Sequence, residues 1–424
     1  MSNLAGPIAY LTGEYPRATD TFIQREVAAL RELGFEVETC SIRRTGAEHH
    51  TGPEQKQEAA RTFNTLRQTA KPMVSLRAHF EALKEPKRYA KAAWLAFRTA
   101  PAGLRGKLFG AIYFAEAVVL AAHLRAIKAR HLHNHIAKAS CTVAMITGEL
   151  TGISWSFTMH GPDDFFAPEH WRLDEKIKRA AFVACISEFC RSQGMLFSDR
   201  AHWSKLHIVH CGIDPARYSV GQRQGKNLLF VGRLAAVKGI PVLFEALQIA
   251  LKTQPDLHLT LIGDGPERMA LETEARQLGL SPSLSFVGYQ SQTAVAKTLE
   301  DTDCLVLPSF AEGVPVVLME AMAASVPVIA TSVGGVGELV ENKTNGILVA
   351  PGDAAALAEA IMIMLHPDAP RAEMGASGRA KVCADFELKV EAARLASLFA
   401  ATMDPSQPSL AKRPAPMPAI EPAP

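Results

Sequence analysis

Glu312 and Glu320 bracket the apolar heptapeptide GVPVVLM, directly after the strand-like run CLVLP. Two carboxylates at one site can act as an acid and base couple. A strand ending at Pro308, a turn through Gly313 and Pro315, and a helix from about Val316 put Glu312 in a loop and Glu320 in an early turn of the helix. Both then face one cleft at the carboxyl ends of the strands, where an open α/β sheet binds its ligand. The competing reading is two solvated carboxylates beside a helix start, stabilised by the helix dipole.

FVGRLAAVKG places Arg233 and Lys238 just beyond another strand, in a loop reaching towards the cleft. Two fixed cations there neutralise the charge that builds on a departing diphosphate, and no metal is then required. The alternative is a pair of exposed surface cations. Gly334 and Gly335, between a strand and a helix, could bring backbone N–H groups up to a phosphate. FTMHGPDDF sets His160 and Gly161 after a strand-like run, where an imidazole can contact a sugar hydroxyl and glycine lets the backbone approach closely. A lone loop histidine is otherwise structural.

Neither ATSVGGVGELV nor IGDGPER completes a GxGxxG fingerprint, because Val340 and Arg268 stand at the third-glycine positions. That argues against a dinucleotide oxidoreductase. His131, His133 and His135 alternate like strand residues with no matching Cys or carboxylate cluster, which argues against zinc. GxSxG, P-loop and HExxH segments are absent from the sequence.

The elements that must position these residues follow a βα rhythm. GPIAYL reads as a buried strand, FIQREVAALRELG as an amphipathic helix and FEVETCSI as the next strand, a right-handed βαβ unit. Helix-rich sequence runs from about Glu54 to Lys128, and strand-like runs recur at HLHNHI, SWSFTMH, AAFVACIS and HIVH. The turn-prone GQRQGK precedes NLLFVG, where the rhythm begins again and continues through GILV and AALAEAIMIMLH. The expected fold class is therefore α/β, with two Rossmann-like domains facing across a cleft. Residues 1–218 form the first domain and 226–385 the second. A helix at 386–402 packs back on the first domain, and a Pro-rich tail at 403–424 cannot bury enough surface to fold.

The 424 residues, 48% hydrophobic and 21% charged, suit two or three soluble domains. The net charge of +2 carries no nucleic-acid footprint. It is unevenly spread: residues 61–130 hold 14 Lys and Arg against three Glu, a local +11 interleaved with aromatic residues. Such a region suits an anionic membrane surface or an anionic acceptor, or else is a set of solvated helix faces. Its apolar stretch 108–124 contains Glu116 and His123, so a buried or membrane-facing helix is expected rather than a span. Seven scattered cysteines without a CxxC pair read as inert thiols in a reducing cytoplasm. The N-terminus lacks the pattern of a signal peptide. A cytoplasmic protein is expected, in peripheral contact with the cytoplasmic face of an inner membrane.

VGRLAAVKG, EGVPVVLME, TSVGGVGE, NGILVAPGD and HGPDDF together resemble the retaining, nucleotide-sugar-dependent glycosyltransferases of family four, with the GT-B fold. The resemblance covers most of residues 6–400, and EYPRATDTFIQREVAAL is similar to the subgroup that builds bacterial exopolysaccharides such as colanic acid. Asp20 stands where that subgroup carries Glu or His. The resemblance implies a hexosyltransferase acting on a saccharide or lipid-linked oligosaccharide, with a nucleotide-diphosphate sugar as donor substrate and neither cofactor nor metal. Arg233 and Lys238 would hold the donor diphosphate, Glu320 the ribose hydroxyls and Glu312 the hydroxyls of the transferred sugar. The backbone of Gly313, Val314 and Pro315 would line the pocket, Phe286 to Tyr289 would pass near the nucleobase, and Gly13 would close over the phosphates. His160 would stabilise the positive centre during front-face transfer. Rival readings are a nucleotide-sugar epimerase of the same fold and a non-catalytic glycan-binding protein.

Overall fold

The structure, a computed structural model, describes residues 6–18, 20–50, 52–221 and 225–404. Nearly all of the tail expected to be disordered lies outside them. The chain builds two parallel sheets. The first, in the order β3-β2-β1-β4-β5-β6-β7, comprises β1 (Ile8–Glu14), β2 (Val37–Arg43), β3 (Phe63–Asn64), β4 (His131–His135), β5 (Ser154–Met159), β6 (Val183–Cys185) and β7 (Leu206–Ile208). The second, in the order β10-β9-β8-β11-β12-β13, comprises β8 (Asn227–Val231), β9 (His258–Ile262), β10 (Leu284–Gly288), β11 (Cys304–Leu307), β12 (Val328–Thr331) and β13 (Gly346–Val349). The strand order reverses between β1 and β4 and again between β8 and β11. These are the two points where a parallel sheet opens a crevice for a ligand.

The central strands of the second sheet are short apolar runs because helices cover both faces. Every residue of Cys304–Leu307 is buried, in register with Leu228 and Leu229 on one side and Val328 on the other. The Thr21–Glu32 helix crosses from β1 to β2 with Ile23, Val27 and Leu30 buried. Gln24 and Arg25 are buried on the same helix, an expensive placement that needs partners.

After the second sheet the Arg371–Asp385 helix packs on the Val316–Ala323 helix, with Gly378 against Met322. Its sequence, RAEMGASGRAKVCAD, lacks a strong apolar stripe, so it is stabilised by this close approach rather than by a pattern visible in advance. The Leu388–Met403 helix then returns to the first sheet, where Leu395, Leu398 and Phe399 join a core with Ile8, Tyr10 and Leu30.

Residues 53–126 form several helices rather than one rod. Among them are Pro72–Leu83, Pro86–Thr99 and Gly103–Ala126, and the two-residue strand β3 was not foreseen. The Gly103–Ala126 helix is long and apolar enough to cross a membrane, but its second half is buried from Glu116 to Ala121 and at Leu124. Burial pushes the Glu116 carboxyl up to about 7, with Arg43 opposing, and Glu116 Oε2 has no hydrogen-bond partner. The folded state thus holds this proton more tightly than the unfolded chain does. Its contribution to stability is intact below the ordinary value of 4.5 and is lost as pH rises through about 7. Glu116→Gln is therefore expected to stabilise the protein at pH 8, by on the order of 2 kcal/mol, and not at pH 4.5. Thermal melts across that range check it; equal differences at both ends would contradict the buried-charge account.

Candidate functional site

The carboxyl ends of both sheets meet at a cavity of about 310 Å³, lined by Thr21, Phe22 and His160 from the first domain and by Arg233, Lys238, Glu312 and Glu320 from the second. Arg233 follows β8, is exposed, and makes no hydrogen bond or ion pair among the described residues. Lys238 is half-buried, and its Nζ lies 2.5 Å from Glu312 Oε1, which also accepts from Ser309 Oγ at 2.6 Å. Glu312 is 9% exposed and Glu320 8%, and a carboxylate so buried is costly without a partner.

For Glu320 that partner crosses the cleft. Arg25 Nη2 donates to Glu320 Oε1 at 2.5 Å and to the Tyr218 hydroxyl at 3.2 Å, and Arg25 Nε donates to Gln292 Oε1 at 2.9 Å. Burial and the Glu320 charge push the Tyr218 hydroxyl up, which keeps it a hydrogen-bond donor. A second tie runs from Glu338, whose carboxylate accepts from the backbone N–H groups of Glu188 and Phe189, at the start of the Glu188–Leu196 helix, at 2.8 Å each. Anions are favoured at that end of a helix.

The loop after β5 carries His160 into the cavity wall. Asp164 fixes it, one carboxylate oxygen accepting from the His160 N–H and the other from the Ala137 N–H, both at 2.6 Å. Burial, with His135 nearby, pushes the His160 imidazole well below its ordinary value. It is neutral at pH 7. Gly161, at φ +139°, lies against Gly313, and a Cβ on Gly313 would run into the His160 carbonyl oxygen. Both glycines are required by this close approach of the two domains.

Val314, Pro315, Val316 and Val317 also line the cavity, beside the first turn of the Val316–Ala323 helix. The first N–H groups of a helix have no acceptor within it and attract anions. Arg233, Lys238 and this helix start thus share the second-domain wall with Glu312 and Glu320.

Four expected site residues lie elsewhere. Gly13, at the end of β1, is not in the cavity wall. The Phe286 ring turns inward on Phe244, with centroids 6.4 Å apart, because alternate residues of β10 face opposite sides and this one faces the core. Tyr289, at the other end of that expected stretch, lines the cavity together with Gln290. Gly334 and Gly335 brace the Glu312 loop from behind: the Gly335 N–H donates to the Gly313 carbonyl at 2.9 Å, so that group is spent within the protein. The reading also missed Arg25, Tyr218 and Gln292.

The β4 histidines are buried, with both nitrogens of His131 and His133 near the hydroxyls of Ser154, Ser156 or Thr158 at 2.6–2.9 Å. The carboxylate that the sequence did not offer them is Glu26, which the fold brings beside His133 and His135.

Residues 219–381 match the family of glycosyl transferases group 1. The chain is 32% identical over 202 residues to the glycogen synthase of Mycobacterium tuberculosis, 47% of this chain and 49% of that protein, so it spans about half the length of that relative. It is 26% identical over 420 residues to the putative colanic acid biosynthesis glycosyltransferase WcaL of Escherichia coli K12, covering 93% of this chain and 99% of that one. Among solved structures, the sucrose-phosphate synthase of Thermosynechococcus elongatus superposes with a TM-score of 0.72 at 21% identity, over 93% of this chain and 98% of that one. Anabaena Alr3699/HepE in complex with UDP gives 0.66 at 16% identity, over 93% and 100%. Residues 219–381 therefore carry a domain similar to the group 1 glycosyl transferases, and the two parallel-sheet domains meeting at one cleft have the GT-B fold of these structural neighbours.

Proposed function

We propose that the protein is a retaining hexosyltransferase that moves a sugar from a nucleotide-diphosphate donor to a saccharide or lipid-linked oligosaccharide in exopolysaccharide or cell-surface polysaccharide synthesis. The observation that carries this reading is Arg233, a cation in the cavity wall without a partner among the described residues, beside Lys238 and a helix start. That array suits a diphosphate. The WcaL likeness supports the polymer, and the bound UDP of the Anabaena neighbour supports the donor class.

In this scheme Arg233 and Lys238 hold the diphosphate, Glu320 accepts from ribose hydroxyls, and Glu312 accepts from hydroxyls of the transferred sugar. Of the stretch from Phe286 to Tyr289, Tyr289 is the residue that passes near the nucleobase. The bond between the anomeric carbon and the phosphate oxygen breaks, and its electron pair stays on the diphosphate. The acceptor hydroxyl attacks from the same face and gives its proton to the leaving phosphate. The two cations and the helix start meet the developing charge without a metal, and the His160 carbonyl faces the positive centre. Closure of the two domains excludes water.

A screen of nucleotide sugars, read by released nucleoside diphosphate in the presence of lipid-linked oligosaccharide, tests this. One donor should give release that depends on the acceptor; no release with any donor would count against it.

A cytoplasmic location and peripheral contact with an anionic membrane belong to the same proposal. They rest on apolar side chains left in solvent on the Pro72–Leu83, Pro86–Thr99 and Gly103–Ala126 helices, such as Phe80 and Trp94 at 63% exposure each and Leu104 at 92%. Lys and Arg residues share these helices, a mixture suited to an anionic bilayer surface. Flotation with anionic liposomes should recover the protein at low salt and less of it at high salt. No flotation at either salt would refute the contact.

A further inference from the structure

Behind His160 lies a buried chain of polar groups that the transfer scheme leaves unused. The Tyr10 hydroxyl donates to Glu26 Oε1 at 2.8 Å. His135 Nε2 lies 3.1 Å from the same oxygen, off the hydrogen-bond axis, and has no other partner. His135 Nδ1 and His160 Nε2 are 2.8 Å apart, and His160 Nδ1 is 3.8 Å from Cys211 Sγ. Burial keeps Tyr10 a phenol and Cys211 a thiol. Both are donors.

These contacts fix where each proton sits. A bare nitrogen turned towards a carboxylate oxygen would set two lone pairs against each other, so His135 Nε2 carries hydrogen. Its Nδ1 is then bare and accepts from His160 Nε2–H. His160 Nδ1 is bare in turn, facing the Cys211 thiol. Each ring–ring and ring–thiol contact then has one donor and one acceptor, and both His160 nitrogens face protein groups. What His160 offers the cavity is its carbonyl and its ring, with the Phe22 ring 4.7 Å away.

We propose that Glu26 and His135 are positioning residues: through the chain Glu26–His135–His160 they lock the His160 ring in one tautomer and hold its carbonyl at the contact with Gly313. The proposal rests on reading this cavity as the transfer site. It assigns the His160 side chain no proton transfer with substrate, and it gives the Thr21–Glu32 helix two adjacent duties, Arg25 towards Glu320 and Glu26 towards His135.

The test is ¹⁵N NMR of histidine-labelled full-length protein, with His160→Gln assigning the resonance, alongside kinetics of Glu26→Gln, Glu26→Asp and His135→Gln. The expected result is a neutral His160 protonated on Nε2 at pH 7. In Glu26→Gln the tautomers should mix and kcat fall about 10- to 100-fold, the range for outer partners of a reacting group. Donor KM should stay within about twofold if only positioning is lost. Glu26→Asp should recover part of kcat. A cationic or Nδ1-protonated His160 in the unmodified protein would overturn the proposal even if no variant folds, and so would an unchanged kcat in folded Glu26→Gln and His135→Gln. A wild-type protein that transfers no sugar would overturn the reading of the cavity instead, while the tautomer is measured without turnover.

Discussion

Replacing Arg233 and Lys238 together by alanine abolishes sugar transfer, with kcat/KM falling by at least about a thousandfold, because each aimed cation commonly contributes a hundredfold or more to stabilising developing charge. The two single variants should differ in kind. Arg233 is exposed and unpaired, so Arg233→Ala should melt like the parent and lose affinity for nucleoside diphosphates far more than for nucleosides. Lys238 is tied to Glu312, so Lys238→Ala also leaves a largely buried carboxylate without its cation. That variant should lose thermal stability as well. Calorimetric titration with nucleoside and nucleoside diphosphate separates the effects. Near-normal turnover in the folded double variant would remove the diphosphate from this wall.

The second large effect comes from one glycine. Gly313→Val is expected to lower kcat/KM by about 100-fold or more, the cost of a displacement near 1 Å between reacting groups. The added side chain meets the His160 carbonyl and Ile186, both in the first domain, so the clash is relieved by parting the domains rather than by unfolding either. Small-angle scattering should report a larger radius of gyration in the variant, with the far-ultraviolet spectrum unchanged. A variant as compact and as active as the parent would show that the Gly161–Gly313 contact is not needed for turnover.

The sequence made the βα alternation legible because buried parallel strands and amphipathic helices repeat with different periods. It also made the loop chemistry legible: Arg233, Lys238, Glu312 and Glu320 lie within two short segments that the fold sets on one wall. Pairings across the chain could not be read this way. Arg25 and Glu320 are 295 positions apart, and only the packing of the two domains joins them. Glu26 and His135 are likewise far apart in sequence, and it is the fold of the first domain that sets them together, with His135 beside His160. Phe286 was misplaced because, in a strand, which face meets the ligand depends on a register that local composition does not specify. Gly334 and Gly335 were assigned to a phosphate on motif grounds, whereas the fold uses their lack of side chains to let the Glu312 loop sit close.

The most direct measurement follows a labelled sugar. Purified protein is incubated with the donor found by the screen, labelled in the sugar, and with a lipid-linked oligosaccharide, and the products are resolved with their anomeric configuration. The account predicts one labelled glycoside on the lipid fraction per nucleoside diphosphate released, with the donor's anomeric configuration retained. Isomerised nucleotide sugar with an unlabelled lipid fraction, or donor bound and never consumed, would contradict it.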